Sequence, residues 1–178
     1  GRVVKVTTLA ASGPGSLRAA VEAGGPRLVV FEVGGVIDLA GATLHLRQPF
    51  ITIAGQTAPR PGITLIKGEL NIATHDVIVQ HLMVRPGAYG RAKRSGNDHD
   101  AITTSGAAHQ VIVDHCSLSW ATDENLSISG PRFEGATAFI RSPAITRSPE
   151  VTDSRPAIVR SKVDLPQPDG PTKTMNSP

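Results

Sequence analysis

The stretch Ala73-Thr-His-Asp-Val-Ile-Val-Gln-His-Leu82 returns, with changes, as Ala107-Ala-His-Gln-Val-Ile-Val-Asp-His-Cys116. The two stretches begin 34 residues apart and are identical at six of ten positions. Both are short β-branched runs, a composition that favours strands. Such recurrence is typical of a solenoid, in which successive strands take equivalent places in stacked coils. The repeat therefore favours a parallel β-coil over an antiparallel sandwich, which gives two non-adjacent strands no reason to share residues.

The composition agrees with such a core. The chain has 178 residues, a length that suits one domain, or one domain and a tail. Hydrophobic residues make up 39% but aromatic residues only 3%, so the core must consist of small and β-branched side chains in regular layers. The formal net charge of +3 favours an anionic partner, such as an acidic glycan, nucleic acid or a membrane surface, without choosing among them.

One short helix is predicted near the beginning of the chain. Ser16 is a candidate N-cap, and Leu17, Ala20 and Val21 form one apolar face before a pair of glycines ends the helix. A single helix before a series of strands suits a lid over the open end of a solenoid, whose terminal coil must not expose its core.

Strand-like runs follow the helix, separated by glycine, proline and asparagine. No helical period of useful length lies between them, which excludes βαβ units. The strict two-residue alternation of side chains that a strand shows breaks inside two of the longer runs. This is expected if a corner interrupts each of these runs. The runs are Arg27–Val33, Leu44–Leu46, Phe50–Ala54, Ile63–Ile66, Val77–Val84, Ala101–Thr104, Val111–Leu118 and Leu126–Ile128.

The character of the chain changes after Gly135. Residues 136–178 contain seven of the 14 prolines and only one glycine, Gly170. We therefore predict a partial β-helix over residues 1–135, followed by an irregular or disordered tail with too little apolar surface to offset chain entropy. A change of reading frame would explain such a tail.

Four motifs in this part of the chain resemble the pectate lyase family of polysaccharide lyases. The resemblance covers about residues 1–135, the N-terminal portion of the family, and implies a truncated, right-handed, single-stranded parallel β-helix. The motifs are Phe50–Pro59 with Gly62–Thr64, Gly15–Val21, Val29–Ile37 and Val111–Ser119.

The resemblance implies cleavage of α-1,4-galacturonan by β-elimination, with calcium as cofactor and an arginine as base. The family's catalytic arginine lies further along the chain, so no catalytic residue is assigned and we expect weak or no activity. The resemblance also implies an extracellular or periplasmic protein. The chain starts at Gly1 with no initiator Met and no signal-like segment, which suggests a mature chain or a fragment.

Acidic residues form the candidate calcium site. Asp98 and Asp100 lie two residues apart, so an extended backbone would project both carboxylates to one face; the resemblance implies that they are calcium ligands. It implies the same for Asp123, and Glu124 is a candidate substitute because Ser127 stands where the family commonly has another Asp. The alternatives are a solvated turn at residues 97–100 and surface acids at residues 123 and 124.

Basic residues cluster around the loop that precedes this acidic pair. They are suited to attract an acidic polysaccharide, arginine through bidentate carboxylate contacts. The alternative is an exposed mobile loop with no fixed partner. The candidate substrate-binding residues are Arg85, Arg91, Lys93 and Arg94.

The remaining chemistry-bearing residues favour structural roles. Repeated histidines at residues 75, 81, 109 and 115 are expected to stack in a ladder, and a zinc site is a weaker alternative. Cys116, the single cysteine, is expected in the core. Trp120 would either stack on a sugar ring or close a coil by packing.

Two rival functions remain open at this point. One is a non-catalytic β-helix module that binds acidic glycan or serves as a structural surface module. The other, nucleic-acid binding, is disfavoured because basic residues are not interleaved with aromatics. No apolar stretch approaches the length of a membrane span, so no membrane partner is expected. Self-association through the exposed end of the solenoid is expected, because each coil relies on its neighbour.

Overall fold

The computed structural model describes residues 1–88, 99–106 and 108–129, and the backbone of a strand at 139–141. The chain alternates short strands and corners, with one α-helix and one turn of 3-10 helix at Gly55–Thr57 in the described part. The elements are β1 (Arg2–Val6), α1 (Leu17–Glu22), β2 (Arg27–Phe31), β3 (Gly35–Asp38), β4 (Leu44–Leu46), β5 (Ile51–Ala54), β6 (Ile63–Ile66), β7 (Leu70–Ile72), β8 (His75–Gln80), β9 (Leu82–Arg85), β10 (Ile102–Thr104), β11 (His109–Asp114), β12 (Ser117–Leu118), β13 (Leu126–Ile128) and β14 (Phe139–Arg141).

The strands form three parallel sheets. The first sheet has the order β1-β2-β5-β8-β11-β14, the second β3-β6-β9-β12, and the third β4-β7-β10-β13. The chain therefore contributes one strand to each sheet in turn before it returns to the first, one coil further along. This topology is a parallel β-helix, which confirms the predicted fold.

The repeated stretches occupy equivalent places in the first sheet. Val77 of β8 pairs with Val111 of β11, and His75 pairs with His109, in a parallel register. The inference that identical residues at a fixed offset lie above one another is therefore confirmed.

A corner interrupts each of the two longest predicted runs. His81 separates β8 from β9 and has φ of 53°, and His115 separates β11 from β12 with φ of 51°. This left-handed conformation turns the chain sharply from the first sheet to the second, and it resets the alternation of inward and outward side chains. The corners at His81 and His115 thus explain why alternation breaks inside these two runs, as predicted.

Inward-facing side chains stack in columns between the sheets. In the first sheet Val29, Ile53, Val79 and Val113 are aligned and buried. Each such aliphatic side chain stabilises the fold by roughly 1.5–3 kcal/mol when it leaves water. Because every coil adds the same kind of layer, aliphatic side chains fill most of the core. The prediction of small and β-branched residues was too narrow, since leucines such as Leu46 and Leu65 are buried as well, and so is the aromatic ring of Phe31.

Helix α1 covers the first coil. The Ser16 hydroxyl accepts a hydrogen bond from the Ala19 backbone N–H at 3.2 Å, which confirms the predicted N-cap. Its apolar face is buried in the same core as the strands, which confirms the predicted lid; the buried residues are Leu17, Ala20 and Val21. This α-helix, like the other helical segment in the described ranges, is too short to cross a membrane.

The sequence did not indicate β1, β3 or β7 as strands. All three pair in parallel with strands of neighbouring coils. The sequence of β1 does carry a signal that was overlooked, because three of its five residues are valine. Strand β14 also falls inside residues 136–178, where irregular structure is expected, and it pairs with β11. The boundary at residue 135 and the nature of the rest of the tail stay predictions.

Candidate functional site

Acidic residues precede successive strands of the third sheet. Glu69 directly precedes β7, while Asp100 and Glu124 each stand two residues before β10 and β13. The three strands are aligned through Leu70, Ile102 and Leu126, so the residues before them meet at one corner of the solenoid. Glu69, Asp100, Asp123 and Glu124 are called the acidic column below.

Backbone contacts hold the acidic column together. The Asp100 carboxylate Oδ1 accepts a hydrogen bond from the Glu124 backbone N–H at 2.9 Å. The Ala101 N–H donates to the Glu124 carbonyl at 3.1 Å. Asp100 is therefore fixed against the turn at residues 123–124 of the next coil.

His99 connects the column across three coils. Its backbone N–H donates to the Thr122 hydroxyl at 2.8 Å, and the Thr122 N–H donates to the His99 carbonyl at 3.2 Å. On the other side, the His99 Nδ1 lies 3.5 Å from Glu69 Oε2, and both side chains are mostly buried. The imidazole thus bridges the preceding coil to the Asp100 segment.

Crowding of negative charge has an electrostatic consequence at Asp100. Burial raises the pKa of the Asp100 carboxyl, and the nearby charges of Asp123, Glu124 and Glu69 raise it further, against the lowering effect of the Glu124 N–H. The ionised carboxylate is therefore held at a cost in free energy. A bound cation would relieve this cost.

The donor chemistry of the acidic column fits a hard cation such as calcium, which prefers carboxylate and amide oxygens. The Asn125 Oδ1, next to Glu124, is buried and has no hydrogen-bond partner in the described residues. Within those same ranges, however, no three His, Cys, Asp or Glu side chains are placed to hold a metal ion. The predicted ligand Asp98 lies outside the described residues.

The predicted substrate-binding residues are only partly placed. Arg85 lies at the end of β9, where its guanidinium donates to the Ser117 hydroxyl at 2.7 Å, to the Ser117 carbonyl and to the Val84 carbonyl at 3.0 Å. Burial lowers the pKa of Arg85. These bonds tie adjacent coils of the second sheet together. The other three, Arg91, Lys93 and Arg94, lie outside the described residues.

The histidines form the expected ladders. The rings of His75 and His109 stack with centroids 4.7 Å apart, and those of His81 and His115 stack at 4.9 Å. These distances match the spacing between coils, so the predicted structural role is supported by geometry. Cys116 is buried, as predicted, and burial raises the pKa of its thiol.

Sequence reasoning missed Glu69 and His99. A usable signal exists: an acid stands one or two residues before a short apolar strand in Glu69-Leu-Asn-Ile72, Asp100-Ala-Ile-Thr103 and Glu124-Asn-Leu-Ser127. The unequal lengths of the coils hide this correspondence until the register is known.

Comparison with known proteins gives the chain its relatives. It is 41% identical over 131 residues to "Probable pectate lyase C" of Aspergillus terreus. The matched region is 73% of this chain and 29% of the relative. The protein of the same name from Emericella nidulans is 40% identical over the same shares of both chains. "Pectate lyase 1" of Ambrosia artemisiifolia is 29% identical over 130 residues, 65% of this chain and 30% of the relative.

No family model matches the chain. The chain spans less than a third of the length of the curated relatives that it matches. Over these 131 residues the chain is homologous to a segment of the pectate lyases, which confirms the family resemblance that the four motifs indicate.

Proposed function

We propose that the chain is a segment of a pectate lyase-like enzyme that cleaves α-1,4-galacturonan by β-elimination. The similarity to proteins named pectate lyases supports the reaction class. The observation that carries the proposal is the contact between Asp100 and the Glu124 turn, because it brings carboxylates from separate coils to one corner. Carboxylates of the protein would repel a polyanionic substrate, so such a site can bind it only if a cation lies between them.

We propose calcium as that cation. Asp98, Asp100, Asp123 and Glu124 would hold it, and the raised pKa of Asp100 supports a place for positive charge. When bound, calcium supplies a Lewis acid that neutralises the carboxylate of a galacturonate. The chain's own part is to fix the carboxylates through the hydrogen bonds of Asp100 and His99.

We propose that basic residues before the acidic column attract the polysaccharide chain. Arg91, Lys93 and Arg94 follow β9 by a few residues in sequence and precede Asp98. Arg85 contributes positive charge from the end of β9, although its donors also serve Ser117 and Val84. We also propose an extracellular or periplasmic location, because the proposed substrate is a polysaccharide.

The test has two readouts on polygalacturonate. Calcium-dependent binding, measured by calorimetry with calcium and with chelator, is the result expected for the 178-residue chain. Little or no unsaturated uronide, followed by ultraviolet absorbance, is expected as well, because the chain corresponds to less than a third of its relatives. Absence of binding in both conditions would refute the proposed substrate and cofactor.

The same experiment separates the lyase from a second candidate function, a non-catalytic module that binds acidic glycan. Calcium-dependent binding without product, both by the 178-residue chain and by a fusion of it to the remaining length of a relative, would favour a non-catalytic glycan-binding β-helix. Robust turnover by the 178-residue chain would support the lyase proposal and refute the expectation of little or no activity.

We also propose that the chain self-associates through the last coil. Strands β12, β13 and β14 end their sheets among the described residues, and an unpaired strand edge is a template for pairing. Light scattering should show species larger than a monomer at high concentration. A monodisperse monomer would refute this.

A further inference from the structure

Trp120 presents a large apolar ring to solvent. It is the only tryptophan in the 178 residues, and it is 56% exposed. A tryptophan that closes a coil by packing would be buried, since burial of so large a side chain is strongly favourable. The structure therefore disfavours the packing role that the sequence left open.

The geometry of the coil explains why the ring lies outside. Trp120 stands two residues beyond Leu118, and Lys67 stands two residues beyond Leu65; both leucines align with Val84. Both Trp120 and Lys67 adopt the left-handed conformation, with φ of 63° and 53°.

The same two residues make the same contact with the preceding coil. The Trp120 carbonyl accepts a hydrogen bond from the Gly87 N–H at 2.8 Å, and the Lys67 carbonyl accepts one from Gly41 at 2.6 Å. The side chain of Lys67 is exposed as well, at 47%. This corner is thus a fold feature that holds the backbone firmly and directs the side chain to solvent, where Lys67 carries an ammonium and Trp120 an indole.

The corner at Trp120 leads directly into the acidic column. Thr122 exchanges hydrogen bonds with His99, and Glu124 donates to Asp100. Asp123 follows Trp120 by three positions in the sequence, so their Cα atoms lie at most about 11 Å apart. One polysaccharide chain can therefore contact both.

We propose that Trp120 is a stacking platform for one sugar ring of the acidic polysaccharide, beside the acidic column. This inference rests on the proposed function and adds a specificity-determining residue to it. The face of an indole is apolar and electron-rich, so it attracts the C–H face of a pyranose and disfavours a carboxylate. Trp120 thus selects the ring face of a galacturonate, and leaves its carboxylate at the edge of the ring, free to meet a cation.

A single tryptophan makes the test residue-specific. Intrinsic tryptophan fluorescence is followed while an unbranched α-1,4-linked oligogalacturonate is added in the presence of calcium, and affinity is measured in parallel by calorimetry. The expected result is a saturable shift of the tryptophan emission spectrum. Its midpoint should fall at the same oligogalacturonate concentration as the midpoint of the calorimetric titration. Trp120→Ala should lower affinity roughly tenfold, and Trp120→Phe, which keeps a ring, should retain most of it.

Phe50→Ala is the matched control, because Phe50 is also aromatic and 50% exposed but precedes β5 of the first sheet. It should bind the oligosaccharide as the unchanged chain does. Melting temperatures of all three variants establish that they are folded.

Two outcomes would overturn the stacking role of Trp120 and leave the proposed function standing. One is calorimetric binding with no change in the tryptophan spectrum, and the other is a Trp120→Ala variant that binds as tightly as the unchanged chain. Equal losses in Trp120→Ala and Phe50→Ala would also overturn it. No calorimetric binding by the unchanged chain would overturn both proposals together.

Discussion

Asp100 and Glu124 are 24 residues apart in sequence, yet the carboxylate of one accepts a hydrogen bond from the backbone N–H of the other at 2.9 Å. The contact crosses from one coil to the next at the corner before the third sheet. It fixes the Asp100 carboxylate at a place where burial, and then the nearby carboxylates, raise the pKa of Asp100. The acidic column is thus a product of coil stacking, and the energetic cost of its charge gives a way to test it.

Replacing Asp100 by Asn should change stability in opposite directions with and without calcium. The amide oxygen can still accept the hydrogen bond from Glu124, but the buried negative charge is removed. A carboxyl whose pKa is raised in the folded state destabilises that state as pH rises above the ordinary pKa, and the full penalty is present above the folded pKa. Asp100→Asn should therefore melt at a higher temperature in chelator at neutral pH. Calcium should raise the melting temperature of the unchanged chain and raise that of Asp100→Asn much less.

Asp38→Asn is the control for this experiment. Asp38 is a carboxylate that forms an ion pair with Lys67 at 2.6 Å, and its pKa is lowered rather than raised. Its calcium response should equal that of the unchanged chain. An equal calcium response in Asp100→Asn would contradict the assignment of Asp100 as a ligand.

Asp114 should make stability depend on pH in the acid range. A hydrogen bond from His115, at 2.7 Å, lowers the pKa of Asp114 below its ordinary value of 3.8, and the Gln80 amide adds to this at 3.2 Å. A lowered folded pKa gives stability that is present above the ordinary value and lost as pH falls through the folded one.

The measurement is the difference in melting temperature between the unchanged chain and Asp114→Asn as pH is lowered. The difference should favour the unchanged chain at pH above about 4 and shrink below it. A difference that is constant across this range would show that the ionised carboxylate of Asp114 does not stabilise the fold.

Cys116 should be chemically inert in the folded chain. Only 4% of the residue is exposed, and burial raises the pKa of its thiol, so little nucleophilic thiolate forms at neutral pH. Iodoacetamide should label it slowly in buffer and rapidly in denaturant, as followed by mass spectrometry. Rapid labelling of the native protein would mean that the second and first sheets separate readily at this corner.

Arg27 should be essential to the lid. It is 3% exposed, and its guanidinium makes five hydrogen bonds to backbone carbonyls, which belong to Ala20, Val21, Gly25, Gln48 and Pro49. Arg27→Met keeps much of the volume but leaves buried carbonyls without donors, which should lower the free energy of unfolding by about 3 kcal/mol. Denaturant unfolding measures this, and Arg47→Met, at an exposed arginine, should be near neutral. A small loss in Arg27→Met would mean that α1 is held by its apolar face alone.

More of the fold than of the candidate site could be predicted from the sequence. The repeated Val-Ile-Val segments and the helix signal at Ser16 are local patterns, and the structure confirms both. By contrast β7, with only Leu70–Ile72, is a strand because Leu44 and Ile102 flank it in neighbouring coils. Arg85 illustrates the same limit, since its hydrogen bonds to Ser117 depend on a register that its own neighbours do not encode.

The sequence by itself determined that this chain is a parallel β-helix with a helical lid, because a stack of coils needs only a recurring run of apolar side chains. Only the tertiary structure decided which acids meet. Leu70 and Ile102 are 32 residues apart, while Ile102 and Leu126 are 24 apart, yet both pairs are direct neighbours. Backbone hydrogen bonds fix the register of each strand, so connections of unequal length in the sequence do not change which strands pair. Glu69 therefore reaches Asp100 through a register that no constant spacing in the sequence reveals.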